Sequence, residues 1–253
     1  MINKGANNYA AFLMEPIGGT TTAAITPPPG YFKRIREICD KYDLLLISDE
    51  VLAGYGRAGK PLAIEWGEVM PDIAAMAKCM SGGYFPVGAV AVSKKISDVF
   101  KEIGHYYAGF TWAGNPVACA VVIENTKIMQ RENLLENVNI QGEYLKEELI
   151  KMRDRHPIIG DVRGRGLLIG VEFVKDHATH TSLPNEEMAL AKVMQAGYAN
   201  GVILEAASGK MNKGLEGEAI LLAPYYSITK EEVDILLDRL DKIFGDAEKQ
   251  IHF

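Results

Sequence analysis

In the first half of the chain the apolar residues come in short unbroken runs, each closed by charged residues, glycine or proline. "YAAFLMEP" is too short for a helical stripe and stops at Glu15-Pro16, which predicts a buried strand. The loop "GGTTTAAITPPPG" follows, rich in glycine, threonine and proline. "YFKRIREICDKY" then sets Ile35, Ile38 and Cys39 on one helical face. Directly behind it comes "LLLISDEV", Leu44 to Val51, an apolar run that ends in two acids. Strand, loop, helix, strand is the unit of a parallel sheet, whose central strands are covered on both faces and so read as continuous apolar runs. "PDIAAMAK" and "GAVAVS" extend the series. A long helical stretch runs from about Pro116 to Arg155, and "HPIIGDVRGRG" beyond it reads as helix-breaking.

The pattern changes from "LLIGVEFV", Leu167 to Val174. A strand is followed by a polar loop, a helix around Glu186 to Asn200, a short strand near Val202, another at "AILLAP", and a closing helix from about Lys230 to Phe244. "SITKEEVDILLDRL" carries a capping signature, Thr229 with Glu232 three positions on. The predicted fold class is α/β. Residues 1–155 form half of a large parallel-sheet domain with its connecting helix, and residues 156–253 form a small C-terminal α+β domain.

Composition narrows the function classes. With 253 residues, 48% hydrophobic and 24% charged, the chain can bury a substantial core. A formal net charge of −6, with no dense Lys/Arg block, excludes a nucleic-acid partner. No apolar stretch approaches the roughly 20 residues that span a bilayer, which excludes a membrane partner. "MINKGANNYAAF" lacks a basic segment followed by an apolar one, so the expected location is cytoplasmic. Cys39, Cys79 and Cys119 form no CxxC pair, which argues against a disulfide framework or zinc site; they read as small core or near-core residues. His177 and His180 share a polar loop without a third ligand nearby, and no metal is expected.

Carboxylates at the tip of a buried strand serve two chemistries. In open parallel sheets ligands bind at the carboxyl ends of strands, where Asp49 and Glu50 fall. A nucleotide site would also need GxxxxGK[ST] on an earlier strand. The nearest candidate, "GRAGK" (Gly56 to Lys60), follows the acids, has the wrong spacing and lacks the final hydroxyl residue. The alternative is an acid facing a cofactor ring, and it asks for a lysine. "DIAAMAKCMSGG" supplies Lys78 at the end of an apolar segment, just before Gly82-Gly83. A lysine that forms a Schiff base needs a partly desolvated site, and an acid on the pyridine nitrogen keeps a pyridoxal ring protonated.

"SDEVLAGYGRAGK", "PDIAAMAKCMSGGYFPVGAV" and "FTWAGNPVACA" together resemble, in order and spacing, the signatures of class III (ω-type) pyridoxal-phosphate aminotransferases, and "EPIGG…PPPGY" and "DVRGRGLLIGVEF" extend the likeness. The resemblance implies a fold-type I architecture, the cofactor pyridoxal 5'-phosphate, and transfer of an amino group from an amine or ω-amino acid to a 2-oxo acid. It implies that Asp49 pairs with the pyridine nitrogen and that Lys78 forms the aldimine. Val51 presses on the ring, with an ordinary core valine as the alternative. The resemblance also implies that Thr111 reaches the cofactor phosphate of the other subunit in a homodimer; Asn115-Pro116 is a good helix start that puts free backbone N–H groups near it. Glu15 fits the acid near the substrate, with a plain strand terminus as the alternative. Arg163 and Arg165 in "VRGRG" are candidates for a substrate carboxylate, against a structural turn.

Family members are longer, and the likeness covers their C-terminal portion. The absent part holds the primary phosphate cradle, so the chain alone is expected to bind the cofactor poorly unless another chain supplies that half. In place of the arginine of an "R-x-x-P-P-L" stretch typical of ornithine-type members stands Leu221, with Tyr225 after Pro224, which argues against those substrates. Two further readings stand beside aminotransfer. One is a catalytically silent fragment or one chain of a split enzyme; the other is an aminomutase, racemase or decarboxylase on the same scaffold.

Overall fold

A computed structural model of the chain describes residues 5–106, 108–207, 209–210 and 215–253, except for the side chain of residue 6. The chain divides into two compact units. The first comprises Met1–Pro16 and Pro27–Leu134, and the second Ile17–Thr26 and Leu135–Phe253.

The first unit is built on a four-stranded sheet, β1 (Ala11–Met14), β2 (Leu45–Asp49), β3 (Ile73–Met76) and β4 (Ala89–Val92), in that spatial order. β1, β2 and β3 run parallel, while β4 is antiparallel to β3 and departs from the all-parallel expectation. The reason is local: residues 77–88 between the two strands form a tight turn at Lys78–Ser81 and no helix of the kind that usually carries the crossover to a further parallel strand. Helix α1 (Tyr31–Lys41) follows Gly30, whose φ of 82° sets the chain into the first turn. Phe32 and Cys39 of α1 pack with Leu46 of β2 and with Ile64, and Phe12, Met14 and Trp66 border this core. Alternation along β2 turns Leu46 and Ser48 into the protein and Asp49 to the opposite face.

After α2 (Lys94–Ile103), the predicted long helix is two helices, α3 (Pro116–Arg131) and α4 (Leu134–Met152). Asn133, at φ 50°, makes the break, a left-handed conformation that asparagine tolerates. Cys39 is buried, Cys79 is half-buried and Cys119 is exposed on α3, so the core or near-core reading holds for Cys39 and Cys79 and fails for Cys119.

In the second unit, β5 (Ile159–Arg165), β6 (Leu168–Asp176), β9 (Glu218–Leu222) and β8 (Glu205–Ala206) pair antiparallel in that order, and β7 (Thr181–Ser182) pairs with β6. The stretch read as helix-breaking is therefore a strand. Its glycines do not end it, because Gly164 fits where β5 and β6 approach closely: a Cβ there would lie 2.0 Å from the Leu168 carbonyl oxygen. The short strand expected near Val202 forms at Glu205–Ala206. The helix expected from Glu186 is α5 (Ala189–Ala199), preceded by a separate turn over Asn185–Glu187. Helix α6 (Lys230–Glu248) starts at the predicted capping box: Thr229 Oγ1 accepts from Glu232 N–H at 3.2 Å, and Glu232 Oε2 accepts from Thr229 N–H at 2.9 Å. Val138, Leu145 and Leu149 of α4 join Val171, Phe173, Ile220, Val193, Leu240 and Phe244 in the core. His156 is buried beside this core between two carboxylates of α6, Glu248 at 2.9 Å and Asp241 at 3.2 Å.

Candidate active site

Three predicted residues close neighbouring strands at one edge of the first sheet. Met14 is level with Ser48 across β1 and β2, so Glu15 follows β1 where Asp49 ends β2. Asp49 is level with Ala75, and Lys78 comes three residues later, just past the end of β3. Parallel pairing does this work, because it brings the carboxyl ends of all three strands to the same side.

Each strand end is held differently. The Val51 N–H donates to Asp49 Oδ1 at 3.1 Å, which orients the carboxylate on the residue that ends the strand. Glu50 points the other way and is 1% exposed. Its Oε1 accepts from Ser48 Oγ at 2.8 Å and Ile64 N–H at 3.1 Å, and its Oε2 accepts from Ala63 N–H at 2.7 Å. Burial pushes its carboxyl above the usual range, against the opposing pull of these donors. Lys78 adopts φ 47°, a left-handed backbone costly for a non-glycine residue, and opens a single tight turn, Lys78–Ser81. Asn125 of α3 clamps that turn, donating through Nδ2 to the carbonyls of Cys79 and Met80, both at 3.0 Å. Tyr55, four residues after Val51, hydrogen-bonds Thr126, again from α3.

Lys78, Glu15 and Thr111 are exposed, and Asp49 and Val51 are half-buried. The partly desolvated environment expected for Lys78 is thus not supplied by the described residues. Thr111 lies on the turn before α3, in the same unit. The free amides expected beside it are not free: Asn115 Oδ1 accepts from Val117 N–H at 3.0 Å and Ala118 N–H at 3.1 Å. The same asparagine that starts the helix consumes its donors, and Pro116 has none. Arg163 falls in the second unit. Its Nε donates to the Ala23 carbonyl at 2.9 Å and its Nη2 to Thr22 at 3.1 Å, while Nη1 pairs with Asp161 at 2.9 Å and with Glu172. Those bonds match the structural role that its glycine-rich surroundings offered as the alternative. Arg165 is half-buried on the same strand.

Sequence reasoning placed Glu50 at the strand end with Asp49 but gave it no role, and it missed Asn125. Asn125 carried no signal, since a polar residue inside a helix looks like any solvent-facing one. Among the described residues no group of three or more His, Cys, Asp and Glu side chains is placed to hold a metal. Nor, among them, is any helix long and apolar enough to cross a membrane.

The residues present fit the ring of pyridoxal phosphate: an oriented carboxylate for the ring nitrogen and an amine for the aldehyde, at the same sheet edge. Among the described residues Thr111 is the candidate for its phosphate.

Comparison with known proteins agrees. The family Aminotransferase class-III matches residues 1–244. Gamma aminobutyrate transaminase 3, chloroplastic, of Solanum lycopersicum is 36% identical, the match covering 99% of this chain and 47% of that protein. Among solved structures, a transaminase from the marine bacterium Virgibacillus superposes with a TM-score of 0.92 at 37% identity, covering 98% of this chain and 55% of that one. An (S)-enantioselective omega-transaminase from Thermomicrobium roseum gives 0.88 at 35% identity, with 97% and 53% coverage. The chain spans about half the length of the relatives it matches. Three signatures in order, the fold they produce and a match along nearly the whole chain place this protein in the class III aminotransferase family.

Proposed function

We propose that this chain carries the ring-binding half of a pyridoxal 5'-phosphate site and acts in the transfer of an amino group from an amine or ω-amino acid to a 2-oxo acid. One observation carries this: Asp49 and Lys78 close adjacent parallel strands at the same sheet edge, with Glu15 beside them. The cofactor, when bound, supplies a protonated ring that withdraws electrons from the substrate Cα–H bond. Asp49, with Oδ1 held by Val51 N–H, keeps the proton on the ring nitrogen. Lys78 would hold the aldehyde end and, once the substrate amine has displaced it, its freed amine would move the proton at the substrate Cα. Val51 packs against the ring, Thr111 serves the phosphate across a homodimer interface, and Glu15 stands on the substrate side. Arg163, with its donors committed within the second unit, supports the fold near the strand β5.

The exposure of Lys78 and the half-length match favour a second statement: activity requires the complementary N-terminal half of the family's fold, on the same or another polypeptide. Losing several phosphate hydrogen bonds, each worth about 1.5–3 kcal/mol, weakens cofactor binding by orders of magnitude. Tight stoichiometric uptake of pyridoxal phosphate by this chain alone would rule that statement out.

The decisive test is Lys78→Ala in the completed enzyme. The visible band of bound cofactor and the turnover should both disappear; if both persist, the assignment is wrong. Incubation with an amine donor and pyruvate should yield alanine, which an aminomutase, racemase or decarboxylase does not make.

A further inference from the structure

The second acid of the strand-end pair has no part in the chemistry described so far, yet it is almost completely buried. Its three donors, the Ser48 hydroxyl and the amides of Ala63 and Ile64, are all neutral. Among the described residues it has no cationic partner, and a buried carboxylate of that kind is costly unless hydrogen bonds satisfy its oxygens. Three donors converge here on two oxygens. An amide side chain has a single acceptor oxygen, and its NH2 would meet a backbone N–H donor to donor.

The covalent path shows what the arrangement holds. The chain leaves the sheet at Glu50, loops out from Val51 and returns to place Ala63 and Ile64 on the carboxylate of the residue it left from. Glu50 N–H donates to the Ala75 carbonyl at 2.8 Å, and its own carbonyl accepts from Gly54 N–H at 3.0 Å. Gly54 must be glycine for this fit, since a Cβ there would lie 2.6 Å from Glu50 Cβ and 2.9 Å from Oε2. Val51 sits between these fixed points, and its N–H is the donor to Asp49 Oδ1.

We propose that Glu50 is a positioning residue for Asp49: by clamping the returning turn to the strand end it fixes the backbone of Val51, whose N–H holds the Asp49 carboxylate in one orientation. This rests on the reading of Asp49 as the ring-facing acid for its use, but the coupling itself exists without cofactor.

Native-state amide exchange of the full chain in dilute urea tests it. In the wild type the Val51, Ala63 and Ile64 amides should open as one unit, with the same protection and the same urea dependence. In Glu50→Gln all three should exchange at least tenfold faster and the Asp49 carboxyl carbon resonance should move, while the Phe173 amide in the second-unit core is unchanged. Independent opening of Val51 in the wild type, or a Gln variant that loosens Ala63 and Ile64 but leaves Val51 and the Asp49 resonance in place, overturns the proposal. If Glu50→Gln does not fold, the wild-type measurement decides alone. Coupled exchange together with failure of pyridoxal phosphate to bind the completed enzyme would instead count against the role given to Asp49 and leave the positioning intact.

Discussion

Asp49 and Lys78 end neighbouring parallel strands, Asp49 level with Ala75 and Lys78 three residues beyond it. Residues 29 positions apart in the chain thereby share one sheet edge. The consequences of that pairing and of its supports can each be measured.

Asp49→Asn keeps the size of the side chain and the bond from Val51 but removes the charge. In the completed enzyme the rate of amino transfer should fall by about 10²–10³-fold, the scale of losing one preorganised electrostatic group. The thermal midpoint should move little. Stopped-flow measurement of the half-reaction checks this, and an unchanged rate would exclude the ring-facing role.

Arg163→Met separates the two readings of that arginine. It strips donors from the Thr22 and Ala23 carbonyls and leaves Glu172 and Asp161 without their cation. Stability should drop by on the order of 2–3 kcal/mol in urea unfolding, with the KM for substrate little changed. A raised KM at unaltered stability would instead favour a substrate contact.

Gly142→Ala reverses the usual rule that alanine stabilises a helix interior over glycine by about 0.5–1 kcal/mol. The added Cβ would lie 2.1 Å from the Gly166 carbonyl oxygen and 2.3 Å from its carbon, both backbone atoms that cannot swing aside. A loss of about 1–3 kcal/mol is expected, read as a lower urea midpoint at constant m-value.

Acid stability should depend on Asp72. Burial alone would push its carboxyl up, but the Leu46 N–H at 2.8 Å and Arg36 at 2.8 Å outweigh that and hold it below the usual range. A depressed folded-state value stabilises the native form above the ordinary aspartate value of about 3.9, and that contribution is lost as the pH falls through the lower folded value. Asp241, held down first by its hydrogen bond from Arg155 despite partial burial, acts with the same sign. Urea midpoints followed downward from about pH 5 should decline, and Asp72→Asn should show a shallower decline.

The apolar runs "AFLM" and "LLIS" were legible as strands because they are short and unbroken, although burial was legible only for the second, since β1 leaves Leu13 exposed at the end of the described sheet; the cap at Thr229 was legible because its hydrogen bonds span only three residues. Boundaries that depend on distant contacts were not. "GDVRGR" looked like a turn because glycine is locally permissive, whereas its strand character comes from pairing with β6. The break at Asn133 was likewise hidden inside a continuous helical pattern.

For the site the division is similar. Residue types and position brought Asp49 and Lys78 forward as candidates, and the likeness of the surrounding signatures to the class III aminotransferases gave them their roles. Only the folded chain decided that Glu50 faces away to bind Ala63 and Ile64, that Asn125 clamps the turn after Lys78, that Asn115 consumes the amides of its own helix, and that Arg163 spends its donors on Thr22 and Ala23. Hydrogen bonds between residues far apart in sequence are set by how elements pack, and no local pattern encodes which donor will meet which acceptor.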